Sequence, residues 1–187
     1  QRIVFLGSAG DLDVIKTGKS SGGVLINVDN DQLLIDPGIG SILVAAQGKI
    51  DITKTDMILI SSADIVHSSD INALSELLKE NNPTLLCHSD LINHEESCLI
   101  KQNAKRFKII SENKEDSHDI GKLTIKTLLT KNNALSFKIH SSRFVLGYIS
   151  DTQFTKKFIQ EFKDSNILII NCKDELDKNN VFNLIEE

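Results

Sequence analysis

A layered α/β fold is what this 187-residue sequence predicts, and three observations carry that expectation. The apolar content is 40% and aliphatic, with aromatics at 5% and no tryptophan, which suits sheets packed under helices better than a small aromatic-stapled core. Short β-branched runs, among them Arg2 to Leu6, Ile58 to Ile60 and Ile167 to Ile170, recur between amphipathic stretches with helical spacing. The length fits one domain, 1–187, with room for a sizeable core.

Charge and cysteine usage narrow the classes of function. A net charge of −5 with arginine at only Arg2, Arg106 and Arg143 argues against a dedicated nucleic-acid surface, which needs a concentrated basic face. The run Lys101, Lys105, Arg106, Lys108 is short enough to be an ordinary solvated edge. Cys87, Cys98 and Cys172 are odd in number and lack CxxC spacing, so no disulfide framework or structural zinc site is expected. No signal peptide and no apolar run of spanning length are evident, so a cytoplasmic protein without membrane attachment is the expectation.

Taken in order, Arg2 to Leu6 opens as a strand and ends at Gly7-Ser8-Ala9-Gly10, which lacks the GxGxxG or GK[ST] spacing of a nucleotide loop. Val24 to Val28 and Gln32 to Ile35 read as a hairpin about Asp29-Asn30-Asp31. Asp36-Pro37-Gly38-Ile39-Gly40 forces a reversal before a helix starting near Ser41. Ile58 to Ile60 is a buried strand, Ser61 to Ser68 a loop at its carboxyl end, and Ser69 or Asp70 the expected N-cap of a helix over Asn72 to Lys79. Asn81-Asn82-Pro83 breaks the chain before a strand at Thr84 to Cys87.

The second half is strand-rich: Arg106 to Ile110, Lys122 to Leu129, Leu135 to Ile139, Arg143 to Tyr148 and a buried Ile167 to Ile170, with Glu112 to Asp119 as an acidic loop. Lys156 to Phe162 reads as a helix, and Val181 to Ile185 as the start of a terminal one.

Five stretches then resemble the metallo-β-lactamase superfamily. Leu6-Gly7-Ser8-Ala9-Gly10, Ser20 to Gly23 and Leu33 to Gly38 follow its opening strand, hairpin and Leu-Leu-Ile-Asp-Pro-Gly segment in order. Ser61 to His67 lies where its Thr/Ser-His-x-His-x-Asp-His loop belongs, and Gly147 to Thr152 is similar to its Gly-Tyr-x-x-Asp-Thr segment. The resemblance spans nearly the whole chain and implies an αββα sandwich, two mixed sheets flanked by helices. It also implies that Asp36, with Gly38 in the same turn, is the structural aspartate beneath the metal site, and that Asp151 is the position that bridges two metal ions.

The scaffold of the motif is present and most of its ligands are not. Ser62 and Asp64 stand where the first two histidines belong, Val66 stands on the aspartate, and His67 alone matches. Leu129 to Asn133 and Leu176 to Asn180 lack the later histidines, and the sequence ends at Glu187 before the strand that usually closes the fold. Metal hydrolases need these ligands because a bound ion lowers the pKa of water enough to supply hydroxide. Asp151 is equally suited to capping the helix that follows, and His67 to ordinary hydrogen bonding. His88, His94, His118 and His140 match no ligand position, and the surface is their default. Ser61, Ser62, Ser68 and Ser69 crowd the loop near His67 and Asp151, but no Gly-x-Ser-x-Gly elbow accompanies them.

The functional expectation is a degenerate family member without metal-dependent hydrolysis and without a cofactor, acting through a protein partner or self-association. The alternative is a metallohydrolase rearranged around Asp64, His67 and Asp151, holding one weakly bound Zn, Mn or Fe and acting on a phosphoester, lactone or thioester. A third reading is a small-molecule binding module using the vacated cleft.

Overall fold

The structure is a computed structural model and describes residues 1–8, 12–95, 97–130, 134–150 and 156–171. The chain divides into two compact units, Gln1–Asn113 and Lys114–Glu187. Among the described residues no helix is long and apolar enough to cross a membrane.

The first unit is built on a six-stranded mixed sheet in sequential order: β1 (Arg2–Phe5), β2 (Val24–Val28), β3 (Asp31–Ile35), β4 (Met57–Ile60), β5 (Thr84–His88) and β6 (Lys108–Glu112). Strands β1 to β3 pair antiparallel and β3 to β6 pair parallel. The β2–β3 hairpin turns on Asp29 and Asn30, whose φ angles of 52° and 75° give the tight reversal that matches strand twist. Every residue of β4 and β5 is buried, as expected for parallel strands covered on both faces.

The parallel order requires crossovers, and these are helical. The chain passes through α1 (Leu12–Ile15) after β1, and α2 (Ser41–Gln47) after β3. It then takes α3 (Ile65–Ser68) and α4 (Ile71–Leu77) after β4, and α5 (Asp90–Asn93) and α6 (Lys101–Ala104) after β5. Leu74 and Leu78 from the α4 turn, Ala45 from α2 and Leu91 from α5 join Leu34, Ile58, Ile60 and Leu85 of the sheet in one apolar core. Because β3, β4 and β5 run the same way, the residues that follow them, beginning at Asp36 and Ser61, emerge at one edge, where open parallel sheets place their chemistry.

The second unit carries a five-stranded mixed sheet ordered β11 (Ile167–Ile170), β10 (Val145–Ile149), β9 (Leu135–His140), β8 (Leu123–Leu129) and β7 (Asp116–Ile120), with α7 (Lys156–Phe162) between β10 and β11. Only the β10–β11 pair is parallel. Leu128, Ile149 and Phe162 form one apolar cluster in this unit, and Ile125, Leu135, Phe137, Ile139 and Leu146 are buried as well.

The element types that the sequence predicts are found except in three places, and the short helices α1, α5 and α6 come in addition. The acidic stretch expected as a loop supplies β7, where Asp116 to Ile120 pair with Leu123 to Thr127 across the Gly121 turn. Ladder pairing with β8 outweighs the low strand preference of Asp and Ser there. β11 is an edge strand and only half-buried, with Leu168 40% exposed, rather than the buried strand its Ile-Leu-Ile-Ile sequence suggested. The loop after β4 contains the single helical turn α3, which runs almost directly into α4. Val181 to Ile185 lies outside the described residues.

Candidate functional site

The loop from Ser61 to Asp70 sits on a polar base centred on Asp36. That residue follows β3 in the left-handed region, φ 46°, and its backbone N–H donates to Leu59 O at 2.9 Å. The turn aims the carboxylate under the neighbouring strand end: Oδ1 accepts from Ser61 N at 2.7 Å and Oδ2 from Ser61 Oγ at 2.6 Å. His67 Nδ1 lies 3.0 Å from the same Oδ2. The carboxylate oxygens act as acceptors, so the proton in that contact belongs to Nδ1. All three side chains are buried, and a buried carboxylate persists only when its lone pairs are met in this way.

The rim of the loop is bonded differently. Ser62 Oγ accepts from Asp64 N at 3.2 Å, and Asp64 Oδ1 accepts from Val66 N at 3.3 Å, which makes Asp64 the N-cap of α3. Asp64 is exposed, while Val66 is buried. The Val66 carbonyl accepts from Ser21 Oγ at 2.8 Å, and that hydroxyl accepts in turn from Ile39 N at 2.7 Å. Gly38 permits the approach: a Cβ there would lie 2.0 Å from Val66 O and 2.2 Å from Ser21 Oγ.

Asp70, one of the two expected caps, stands at the N-cap position of α4, but its side chain makes no cap bond there. Ser69 and Asp70 both adopt helical backbone angles because α3 hands over to α4 without an extended residue between them. The buried Ser69 Oγ meets no hydrogen-bond partner among the described residues. The Asp70 carboxylate crosses instead to the start of α2, where Oδ1 accepts from Gly40 N at 3.3 Å and Oδ2 from Ile42 N at 3.0 Å. Burial pushes the Asp70 carboxyl up, against the opposing pull of these backbone donors.

The serines do not assemble a nucleophilic set with His67. Ser61 directs its proton to Asp36, Ser62 accepts from Asp64 N, and Ser68 Oγ lies 2.9 Å from Asp64 O and 3.1 Å from Cys98 Sγ. A hydroxyl already donating to a buried carboxylate is not activated by an imidazole.

His67 is held through Nδ1 by a carboxylate, an arrangement shared by metal-bound histidines. The ligand positions around it do not complete a site: Ser62 and Asp64 are engaged in local backbone bonds and Val66 has no donor. In the first unit, no three described His, Cys, Asp or Glu side chains bring ligand atoms within 4.8 Å of one another. The described residues at positions 62, 64 and 66 therefore do not complete a closed metal centre with His67. Asp151 lies outside the described residues, as does Lys131, while Thr130 Oγ accepts from Ala134 N at 3.1 Å.

One histidine departs from its expected place. His88 ends β5 and is 4% exposed rather than on the surface, with Nδ1 accepting from Asp90 N at 3.3 Å at the start of α5. The sequence signal was available in His88-Ser89-Asp90 directly after a strand, a capping arrangement that the histidine completes in place of the usual serine. His94 is exposed, and His118 and His140 are half-buried.

No family model matches the sequence. An uncharacterised protein of Methanocaldococcus jannaschii is 25% identical, over 90% of this chain and 68% of that protein. Among solved structures, the metallo-beta-lactamase fold protein YhfI from Bacillus subtilis superposes with a TM-score of 0.71 at 18% identity, covering 89% of this chain and 68% of the other. A diphosphatase of the PhnP family gives 0.62 at 14% identity, covering 89% and 71%. The metallo-beta-lactamase MIM-2 gives 0.53 at 16% identity, covering 86% and 74%.

Proposed function

From the premise that this chain has the metallo-β-lactamase fold, we propose that it is a degenerate form of that scaffold. On this reading it does not carry out metal-dependent hydrolysis, and it acts as a structural or interaction subunit. The observation that carries the reading is the state of positions 62, 64 and 66. Asp64, the one carboxylate among them, caps its own helical turn, and Val66 is buried against Gly38 and Ser21 through its carbonyl. A hydrolytic centre needs several ligands converging on an open coordination position, and positions 62, 64 and 66 do not add theirs to His67.

The partner is a second copy of the chain or another protein.

Elemental analysis of protein purified without chelator tests the proposal. The expected result is a folded protein with metal far below one ion per chain and no turnover of phosphodiester, lactone or thioester substrates. Near-stoichiometric zinc, iron or manganese with measurable hydrolysis overturns it. Light scattering across a concentration series reads self-association.

A second reading is favoured by the His67 Nδ1 contact with Asp36, which orients an imidazole as metal enzymes do. It is a hydrolase with one weakly held ion on Asp64, His67 and Asp151. Asp151→Ala then removes both metal and turnover. If the variant loses only stability, that assignment fails.

A further inference from the structure

We infer that Asp70 is a long-range brace that holds the Ser61–Asp70 loop against the Pro37–Ile42 turn, so that this region keeps its shape with no ion bound. The inference rests on the reading that the chain works without metal, and it names the group that organises the loop in that case.

The turn after Asp36 leads into α2, whose first turn leaves backbone N–H groups without an intrahelical acceptor. Its N-cap is Gly40, at φ 85°, which has no side chain to offer them. Asp70 supplies the acceptors from 30 residues away, through Oδ1 to Gly40 N and Oδ2 to Ile42 N. Its own backbone N–H donates to Pro37 O at 3.1 Å, so one residue engages the turn at three points. The carboxylate does this in place of capping α4, at whose N-cap position it stands without a side-chain cap bond. Where a residue passes over the local bond its position offers, the remote bond is what fixes it.

The other contacts across this junction run through backbone and hydroxyl groups. Ser21 joins Val66 O to Ile39 N, and Ser41 Oγ lies 2.7 Å from Gly22 O and 2.8 Å from Gly38 O. Asp36 closes the base beneath them. Asp70 is the carboxylate on the far side, and its removal takes from Gly40 N and Ile42 N the side-chain acceptors that the structure gives them.

Hydrogen exchange on the full chain, with melting curves in EDTA and in zinc chloride, tests the inference. Wild-type protein is expected to melt at one temperature in both, with the amides of Gly40 and Ile42 protected. Asp70→Ala is expected to lower the melting temperature and to lose that protection, with no rescue by zinc. Asp70→Asn, which keeps acceptor oxygen and loses charge, is expected to fall between. Unchanged protection of Gly40 and Ile42 in Asp70→Ala overturns the brace, as does loss of protection over residues 61–70 when wild type meets EDTA. If Asp70→Ala fails to fold, the Asn variant decides: wild-type exchange rates at both amides in that variant also overturn the brace. The outcome is separable from the metal assay. Bound metal with a loop that stays protected in EDTA defeats the functional reading alone, and a metal-free protein with unprotected amides at 40 and 42 defeats the brace alone.

Discussion

The base and the rim of the β4–α4 loop lie a few residues apart and obey opposite rules. At the base, Asp36 is 2% exposed and gathers Ser61 N, Ser61 Oγ and His67 Nδ1 on its two oxygens. At the rim, Asp64 is exposed and bonds only to its own turn. A group whose loss strands several buried donors is held by folding itself, whereas a solvated group is free to change once no ligand requires it. The base of the loop is thus held by folding itself, and the rim is not.

The largest effect that can break this contrast is Asp36→Ala. It leaves three donors buried without their acceptor and is expected to cost about 3–5 kcal/mol, read as a shift in the urea midpoint at constant slope. Asp36→Asn is expected to cost less, since asparagine tolerates the left-handed backbone and retains one acceptor oxygen. If Asp36→Ala proves as mild as a surface change, the base is not the stabilising centre.

Gly38→Ala comes next. The added methyl meets Val66 O and the Ser21 hydroxyl well inside contact distance, and neither is the flexible end of a long side chain. Overpacking of about 1–3 kcal/mol is expected, again from denaturant melts. Because Gly38 touches the rim through a backbone carbonyl, this variant asks whether the loop can lift from the turn without disturbing Asp36.

The contrast also explains how far the sequence could be read. Strands with fully buried apolar runs, such as β4 and β5, and turns that demand special backbone angles, such as Asp29-Asn30 and Asp36 to Gly40, were legible because local chemistry and tertiary role agree there. Ser62, Asp64 and Val66 were legible as identities, but not the uses those residues have. That Asp64 caps α3 and that His88 bonds Asp90 N are local, two-residue contacts within reach of spacing rules, whereas the crossing of Asp70 to α2 depends on partners brought near by the sheet, and no spacing rule encodes it. β7 was missed because its Asp-Ser-His-Asp sequence disfavours a strand and only pairing with β8 makes one.

Asp64→Ala is the smaller test, on the rim side. Loss of the single cap bond of a one-turn helix is expected to cost about 1 kcal/mol or less, with no change at the base. A loss as large as that of Asp36→Ala would erase the distinction between the two ends of the loop.

The two described cysteines offer the finest measurement. Cys87 is fully buried in β5, and burial pushes its thiol up to about 12. Cys98 is half-buried against Ser68 Oγ at the back of α3, and its thiol is raised mainly by burial. Only the thiolate is alkylated, so at pH 8 iodoacetamide is expected to leave Cys87 unmodified and to react with Cys98 more slowly than with a free thiol, read by peptide mass. The raised Cys87 value also sets a sign for stability: the unfolded thiol ionises near pH 9.0 and the native one does not, so this contribution is complete below that pH and declines as pH rises towards 12. Loosening the rim through Asp64→Ala should accelerate Cys98 and leave Cys87 silent. Equal acceleration of both would mean that opening of the loop and opening of the core are one event, and that base and rim are a single cooperative structure.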